Sequence, residues 1–195
     1  MSLRTVAFGC APIFALASLP GDALAQGRPR FKSKSIRRQQ VDAPDYAASG
    51  TGAYLGAQPS TLWRQWYKIE VQFQSAADWA DDVKLKYYVL MGTGREARLF
   101  AGEITHVNGA KGTQHYSAMF LHPYTLRRYG AGQVEAVAVQ LYHQNRLEDQ
   151  DSEPQTRERW WEKFTPMSGY LLAPQDTPWA VIGTDRFEAV KPTRQ

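Results

Sequence analysis

The chain has 195 residues, a formal net charge of +4 and a single cysteine, and aromatic residues make up 12% of it. This length suffices to bury one apolar core, so about one domain is expected. One cysteine excludes an internal disulfide framework, so stability must come from the core.

The N-terminus has the features of a secretory signal peptide over residues 1–25. A positive charge at Arg4 precedes an apolar run that is too short to span a bilayer, and small residues end at Ala25. Cleavage is predicted between Ala25 and Gln26, with export to the periplasm, the outer envelope or the outside of the cell. A lipoprotein anchored at Cys10 is the less favoured alternative, because too few residues precede that cysteine.

Residues 26–60 hold the whole charge excess of the exported chain. Six basic residues face two acidic ones there, whereas sixteen of each sign follow from residue 61 onward. The segment has few large apolar side chains, which predicts a disordered, flexible basic arm. Such an arm can contact an anionic surface or serve as a solvated linker; export argues against nucleic acid as its partner.

Alternating apolar and polar residues predict strands in the rest of the chain. The pattern is clear at 67–74 and again at 83–91, with an acidic connection at 75–82 between them. Further predicted elements are strands at 98–107 and 113–121 joined as a hairpin, a short helical turn from Pro123 to Arg128, a strand at 134–142, and a long exposed loop or loose edge hairpin at 145–159. Short strands with frequent turns predict an all-β fold, an antiparallel β-sandwich of about seven strands over residues 61–195.

The stretch Gly92–Ala97 satisfies G-x-G-x-x-A, a fingerprint of dinucleotide binding. That function requires a buried parallel strand before the glycines and an amphipathic helix after them. Lys84 and Lys86 alternate along the preceding strand, and the residues that follow are strand-like. The glycines therefore predict a turn between two antiparallel strands.

Other candidate chemistry is weak. His106 and His115 flank the 108–112 loop and could face each other across a hairpin, but zinc needs further ligands that cannot be identified. The acidic groups at 78–82 and 148–153 lack the ligand pattern of a calcium loop. No nucleophile motif is present. The sequence thus predicts a protein that is not an enzyme and that carries no cofactor or metal.

Tandem aromatic residues are the most informative feature. Neighbours on a strand point to opposite faces, so each pair sends one ring outward, either under the proline-rich C-terminal segment or toward a partner. The candidate partner-binding residues are Tyr88, Trp160, Trp161 and Trp179.

Several stretches resemble a family of exported immunoglobulin-like proteins of Verrucomicrobia that is associated with type IV pilus-like gene clusters, as in Akkermansia. The similarity is carried by WYKIEVQF at 66–73, WADDVKLKYYVL at 79–90, GYLL at 169–172, TPWA at 177–180 and DRFE at 185–188. The resemblance implies an immunoglobulin-like sandwich and a structural or interaction role, with no active site to carry over. One departure lies at 182–184, where IGT replaces expected aromatics.

The function expected from these observations is that of a non-enzymatic exported protein that contacts envelope or pilus-like proteins through surface aromatics and strand edges. The alternative is a carbohydrate-binding β-sandwich module that stacks sugar rings on Trp160, Trp161 or Trp179.

Overall fold

A computed structural model describes residues 30–44, 64–130, 133–180 and 189–191. These residues form nine strands, one helix and three short 3-10 turns. The strands are β1 (Phe31–Asp42), β2 (Gln65–Ala80), β3 (Val83–Met91), β4 (Arg98–His106), β5 (Gly109–Leu121), β6 (Ala136–His143), β7 (Arg146–Glu153), β8 (Pro166–Met167) and β9 (Leu171–Leu172); the helix is α1 (Pro123–Gly130), and the 3-10 turns are Gly94–Glu96, Trp160–Lys163 and Pro174–Asp176.

The strands form two sheets that pack as a sandwich. The four-stranded sheet has the order β1-β2-β5-β9 and the five-stranded sheet the order β7-β6-β3-β4-β8. Neighbouring strands are antiparallel except β4 and β8, which are parallel. The predicted all-β sandwich is confirmed.

The core lies between the sheets and follows the two-residue period of the strands. Along β3, every second side chain is buried, and Leu85, Tyr87 and Val89 are each 0% exposed. Ile69 and Val71 of β2 contribute to the same cluster from the opposite sheet. Packing of the two sheets removes their inner apolar faces from water, while two smaller apolar clusters lie outside this core, around Phe120 and Trp161.

The glycine stretch joins β3 to β4 as an antiparallel hairpin. Gly92 and Gly94 have φ values of 75° and 57°, in the left-handed region that side chains other than glycine rarely adopt. The predicted glycine turn is confirmed.

The prediction of a flexible arm is wrong for residues 31–42. These residues form β1, which pairs with β2 along nearly its whole length, and Phe31 is 1% exposed in the core beside His143. The folded part therefore begins about thirty residues earlier than residue 61. Residues 26–29 and 45–60 of the proposed arm and the cleavage site between Ala25 and Gln26 lie outside the described residues.

Two connections also differ from the prediction. Strand β2 continues through the supposed loop at 75–82 as far as Ala80. Strands β4 and β5 are not a hairpin but belong to different sheets, so residues 107–108 cross from one sheet to the other. Alternation along each strand fits either arrangement, because it determines which face is buried and not which strand is the neighbour.

Three local predictions agree with the structure. The helix begins at Pro123, and a strand at 136–143 overlaps the predicted one. The polar stretch after Asn145 is an edge hairpin strand, β7, and the turn before it holds Gln144 and Asn145 at φ values of 50° and 63°. Such a two-residue turn with both φ values positive suits the twist of a hairpin.

Candidate functional site

The candidate aromatics on the five-stranded sheet are covered by the chain itself. The Tyr88 ring stacks against Trp161 with centroids 6.1 Å apart, and Trp160 meets Trp161 edge-on at 5.5 Å. Trp161 is 5% exposed and packs with Leu99 and Ala138. Trp161 therefore has little surface for a partner, while Tyr88 and Trp160 keep part of theirs.

Trp179 has the same role on the four-stranded sheet. Its ring stacks on Phe120 at 4.7 Å and meets Trp66 edge-on at 5.6 Å. On both sheets, C-terminal residues thus cover outward-facing rings, which is the alternative that the sequence left open for them. The outward aromatics thus contribute to the packing of the fold.

A groove of about 590 Å³ opens between the sheets on the side of β4 and β9. Its floor is mainly apolar and includes Tyr87, Met119 and Leu171, and its rim carries Lys86, Glu103, Asp176 and Lys191. No local sequence pattern indicates this groove, because its walls come from segments far apart in the chain.

Gly102 of β4 allows the close approach of the two sheets at the groove. A Cβ atom at this position would lie 2.7 Å from Leu171 Cβ and 2.9 Å from Met119 Cε. Both distances are shorter than van der Waals contact, so a larger residue would push β4 away from β9. The width of the groove thus depends on this glycine.

The outer edge of β4 is only partly paired. Short strand β8 pairs with Leu99 and Phe100. At the other end, Val107 N–H donates to Ala189 C=O at 2.9 Å, and Lys191 N–H donates to Thr105 C=O at 2.8 Å. Residues 101–104 lie between these two contacts, and none of the residues that the structure describes pairs with their outer side.

We call residues 101–104 the edge gap. Within it, the main-chain N–H and C=O of Glu103 point outward, away from β3. In an antiparallel ladder, successive residues alternate between facing the neighbour strand and facing away from it. Thr105 and Val107 face away from β3, since they bond residues 189–191. Because β3 and β4 pair without a register shift, Glu103 faces the same way. The edge gap thus offers an N–H and a C=O to an extended chain.

An ion pair anchors the C-terminal end of the edge. Lys191 Nζ lies 2.6 Å from Asp82 Oδ1. This hydrogen bond and the ammonium charge hold the pKa of Asp82 below its usual value. Above that value the carboxylate is charged, and the pair helps to fix residues 189–191 against β4.

A buried polar chain connects the sheets beneath the groove. Tyr87 Oη donates to Ser117 Oγ at 2.7 Å, and Ser117 Oγ lies 2.7 Å from His106 Nε2. Burial raises the pKa of Tyr87, so its hydroxyl remains a donor at any physiological pH. Ser117 and His106 are 0% and 1% exposed. The serine and histidine occur eleven residues apart without any motif, so sequence reasoning missed the pair.

The opposite side of the sandwich is held together by charge. Ser33 N–H of β1 donates to Asp149 Oδ2 of β7 at 2.8 Å, and Arg30 N–H donates to Glu148 Oε2 at 2.7 Å. Ser33 Oγ also reaches Asp151, and Arg38 pairs with Glu153 at 3.8 Å. We call these contacts the edge clamp. The basic segment at 30–38 and the acidic strand at 148–153 therefore contact each other. Neither segment alone indicates this pairing.

Among the described residues, no group of three or more His, Cys, Asp or Glu is arranged to hold a metal ion. The first acidic cluster is engaged instead with its neighbours. Asp78 pairs with Lys111 at 3.5 Å, and Asp81 accepts the backbone N–H of Asn108 at 2.8 Å. No helix in the described part of the chain is both long enough and apolar enough to cross a membrane.

The fold defines the chain as a two-sheet β-sandwich. The model of one protein family matches residues 23–194, and the chain belongs to that family. Three solved chains match; one is a crystal structure of a protein from Akkermansia muciniphila, similar at a TM-score of 0.71 and 18% identity over 85% of this chain and 94% of that chain. This likeness concerns the fold, and its source agrees with the verrucomicrobial resemblance. No curated protein matches the sequence.

Proposed function

We propose that the chain is an exported, non-enzymatic protein of envelope or pilus-like assemblies that binds an extended segment of a partner protein at the edge gap of β4. The observation that carries this proposal is the outward-facing main chain at Glu103, between two places where the chain already adds short segments to the same edge. Strand addition of this kind obtains affinity from main-chain hydrogen bonds.

The groove beside the gap supplies selectivity. An added strand sends alternate side chains to opposite faces, so every second residue of the partner would enter the groove above Met119 and Leu171. At about 3.3 Å per residue, the four positions of the edge gap accept a segment of roughly 13 Å. Small or medium apolar side chains at alternate positions suit the floor, where Leu171 and Met119 pack directly against Gly102.

Burial of the polar core supports a binding role over an enzymatic one. Ser117 and His106 form a hydrogen-bonded pair of the kind that nucleophilic catalysis uses, yet both are enclosed by the sheets. A nucleophile must reach its substrate, and Ser117 does not line the groove. The pair acts instead as a polar connection between sheets.

A proline at position 103 tests the proposal. Glu103→Pro removes an N–H that β3 does not use, so the β3–β4 ladder is expected to remain while strand addition is blocked. Partner proteins crosslinked to the wild-type chain in envelope material should be lost from the variant by at least tenfold, as measured by quantitative mass spectrometry.

Glu103→Ala is the matched control. It removes the same carboxylate, and with it the ion pair to Lys84, but keeps the backbone donor. Crosslinking should therefore persist in the alanine variant. Equal crosslinking of the proline and wild-type chains, with both folded by circular dichroism, would refute binding at this edge.

A further inference from the structure

Trp79 is the most exposed large hydrophobic side chain in the part of the chain that the structure describes, at 75%. It lies near the end of β2 and does not line the groove. Trp79 is not among the aromatic residues that the sequence suggested for partner binding. Its acidic neighbours made residues 75–82 resemble a connection between two strands.

Two turns hold the backbone around Trp79 in place. Trp79 pairs with Ala110 at the start of β5. Two residue pairs beyond it, Asn108 N–H donates to Asp81 Oδ1, and on the other side Lys111 Nζ contacts Asp78 Oδ1 at 3.5 Å. The backbone that carries the indole is thus held by a hydrogen bond and an ion pair between two neighbouring strand ends. A surface ring whose backbone is already fixed loses little conformational freedom when it binds.

Polar neighbours indicate what the ring would bind. The core of a protein–protein interface is depleted of charged residues and surrounds its aromatic anchors with apolar contacts. Here the residues next to Trp79 on the two strand ends carry carboxylates, an amide and an ammonium group, at Asp78, Asp81, Asp82, Asn108 and Lys111. A sugar ring matches this arrangement, because its C–H face packs on an aromatic ring while its hydroxyls exchange hydrogen bonds with such groups.

The charged residues around Trp79 indicate which class of sugar fits the site. Each of the three acids near Trp79 has a partner: Asp78 contacts Lys111, Asp81 accepts the backbone N–H of Asn108, and Asp82 pairs with Lys191. The residues around Trp79 therefore carry no strong excess of positive or negative charge that would select a uronic acid or an amino sugar. We propose that Trp79 is the stacking platform of a binding site for uncharged polysaccharide, separate from the β4 edge.

Affinity gel electrophoresis tests the site, with laminarin, galactomannan, xylan and dextran cast singly in the gel. At least one of these neutral polysaccharides should retard the full chain. Trp79→Ala should abolish the retardation, while Trp79→Tyr should keep part of it because a planar ring remains. Tyr124→Ala is the matched control, since Tyr124 is the other strongly exposed aromatic among the described residues, at 59%, and it should migrate as the wild type does.

Two results would overturn the proposal. One is an absence of retardation in all four gels, and the other is equal retardation of the wild type and Trp79→Ala. A photo-crosslinking amino acid at position 79 that captures an envelope protein, in place of any polysaccharide effect, would identify a protein contact instead. Thermal unfolding of Trp79→Ala should match the wild type, because the ring makes few contacts to lose.

Discussion

The protonation of His122 depends on the burial of its ring and affects the start of α1. Its ring meets Trp66 edge-on at 4.7 Å, and its Nδ1 accepts the backbone N–H of Tyr124 at 3.1 Å at the start of α1. Burial lowers the pKa of His122, because the imidazolium ion loses hydration there. The neutral ring is the form that can accept this hydrogen bond, so protonation weakens the start of the helix.

The sign of the pH effect follows from this shift. Above the usual histidine pKa of 6.5 the ring is neutral whether the chain is folded or unfolded. As the pH falls through that value, the unfolded chain takes up the proton first, so stability decreases. We expect the urea midpoint to fall between pH 7.5 and pH 5.5, and to fall less in His122→Asn. Equal decreases in both chains would contradict this role.

Three tryptophans illustrate why residue type alone does not identify a surface. Trp161 and Trp79 are 5% and 75% exposed, although both adjoin acidic residues in the sequence. Trp161 is covered because it stacks on Tyr88, and Trp179 because it stacks on Phe120. Exposure follows from what the rest of the chain places over a ring, which a list of aromatic positions does not contain.

At the scale of elements, β1 depends on the edge clamp more than its sequence suggests. Only Phe31 is fully buried among its side chains, and the strand lies at the edge of its sheet. Apart from Phe31 in the core, its contacts to the other sheet include hydrogen bonds and an ion pair with β7. Hydrogen bonds to charged acceptors each contribute about 1.5–3 kcal/mol, so the acidic strand stabilises β1 substantially.

Asp149→Ala tests the clamp. The Ser33 N–H loses its acceptor, and we expect a loss of about 1–2 kcal/mol in the free energy of unfolding, with faster hydrogen exchange across β1. Urea denaturation and amide exchange measure the two effects. Glu158→Ala is the control: Glu158 pairs with Lys163 on the surface, and the expected change is below about 0.5 kcal/mol. Unchanged exchange in Asp149→Ala would mean that backbone pairing to β2 alone holds β1.

For the whole molecule, the boundary of the domain decides whether a shortened chain folds. A chain beginning at residue 45 lacks β1, so it exposes the edge of β2 and opens the core where Phe31 lies. An uncovered edge of this length is a template for aggregation. We expect such a chain to aggregate or to unfold at a markedly lower temperature than one beginning at residue 26, as measured by light scattering during thermal unfolding. Equal stability would return the boundary to residue 61.

Much of the architecture followed from the sequence. Alternation predicted β3 with the ends that the structure has, the glycines predicted the hairpin at Gly92–Ala97, and Pro123 marked the start of α1. These features depend on residues that are close together in the chain, where the two-residue period and the φ preference of glycine act directly.

Tertiary structure decided the features that depend on distant partners. The basic segment forms a strand because its main chain pairs with β2, and acidic residues more than one hundred positions later accept two N–H groups at its start. Strands β4 and β5 separated into different sheets, and the groove formed between them and β9. Local alternation assigns each side chain to a face, but the packing of whole sheets determines which strand lies beside which and which ring remains in water.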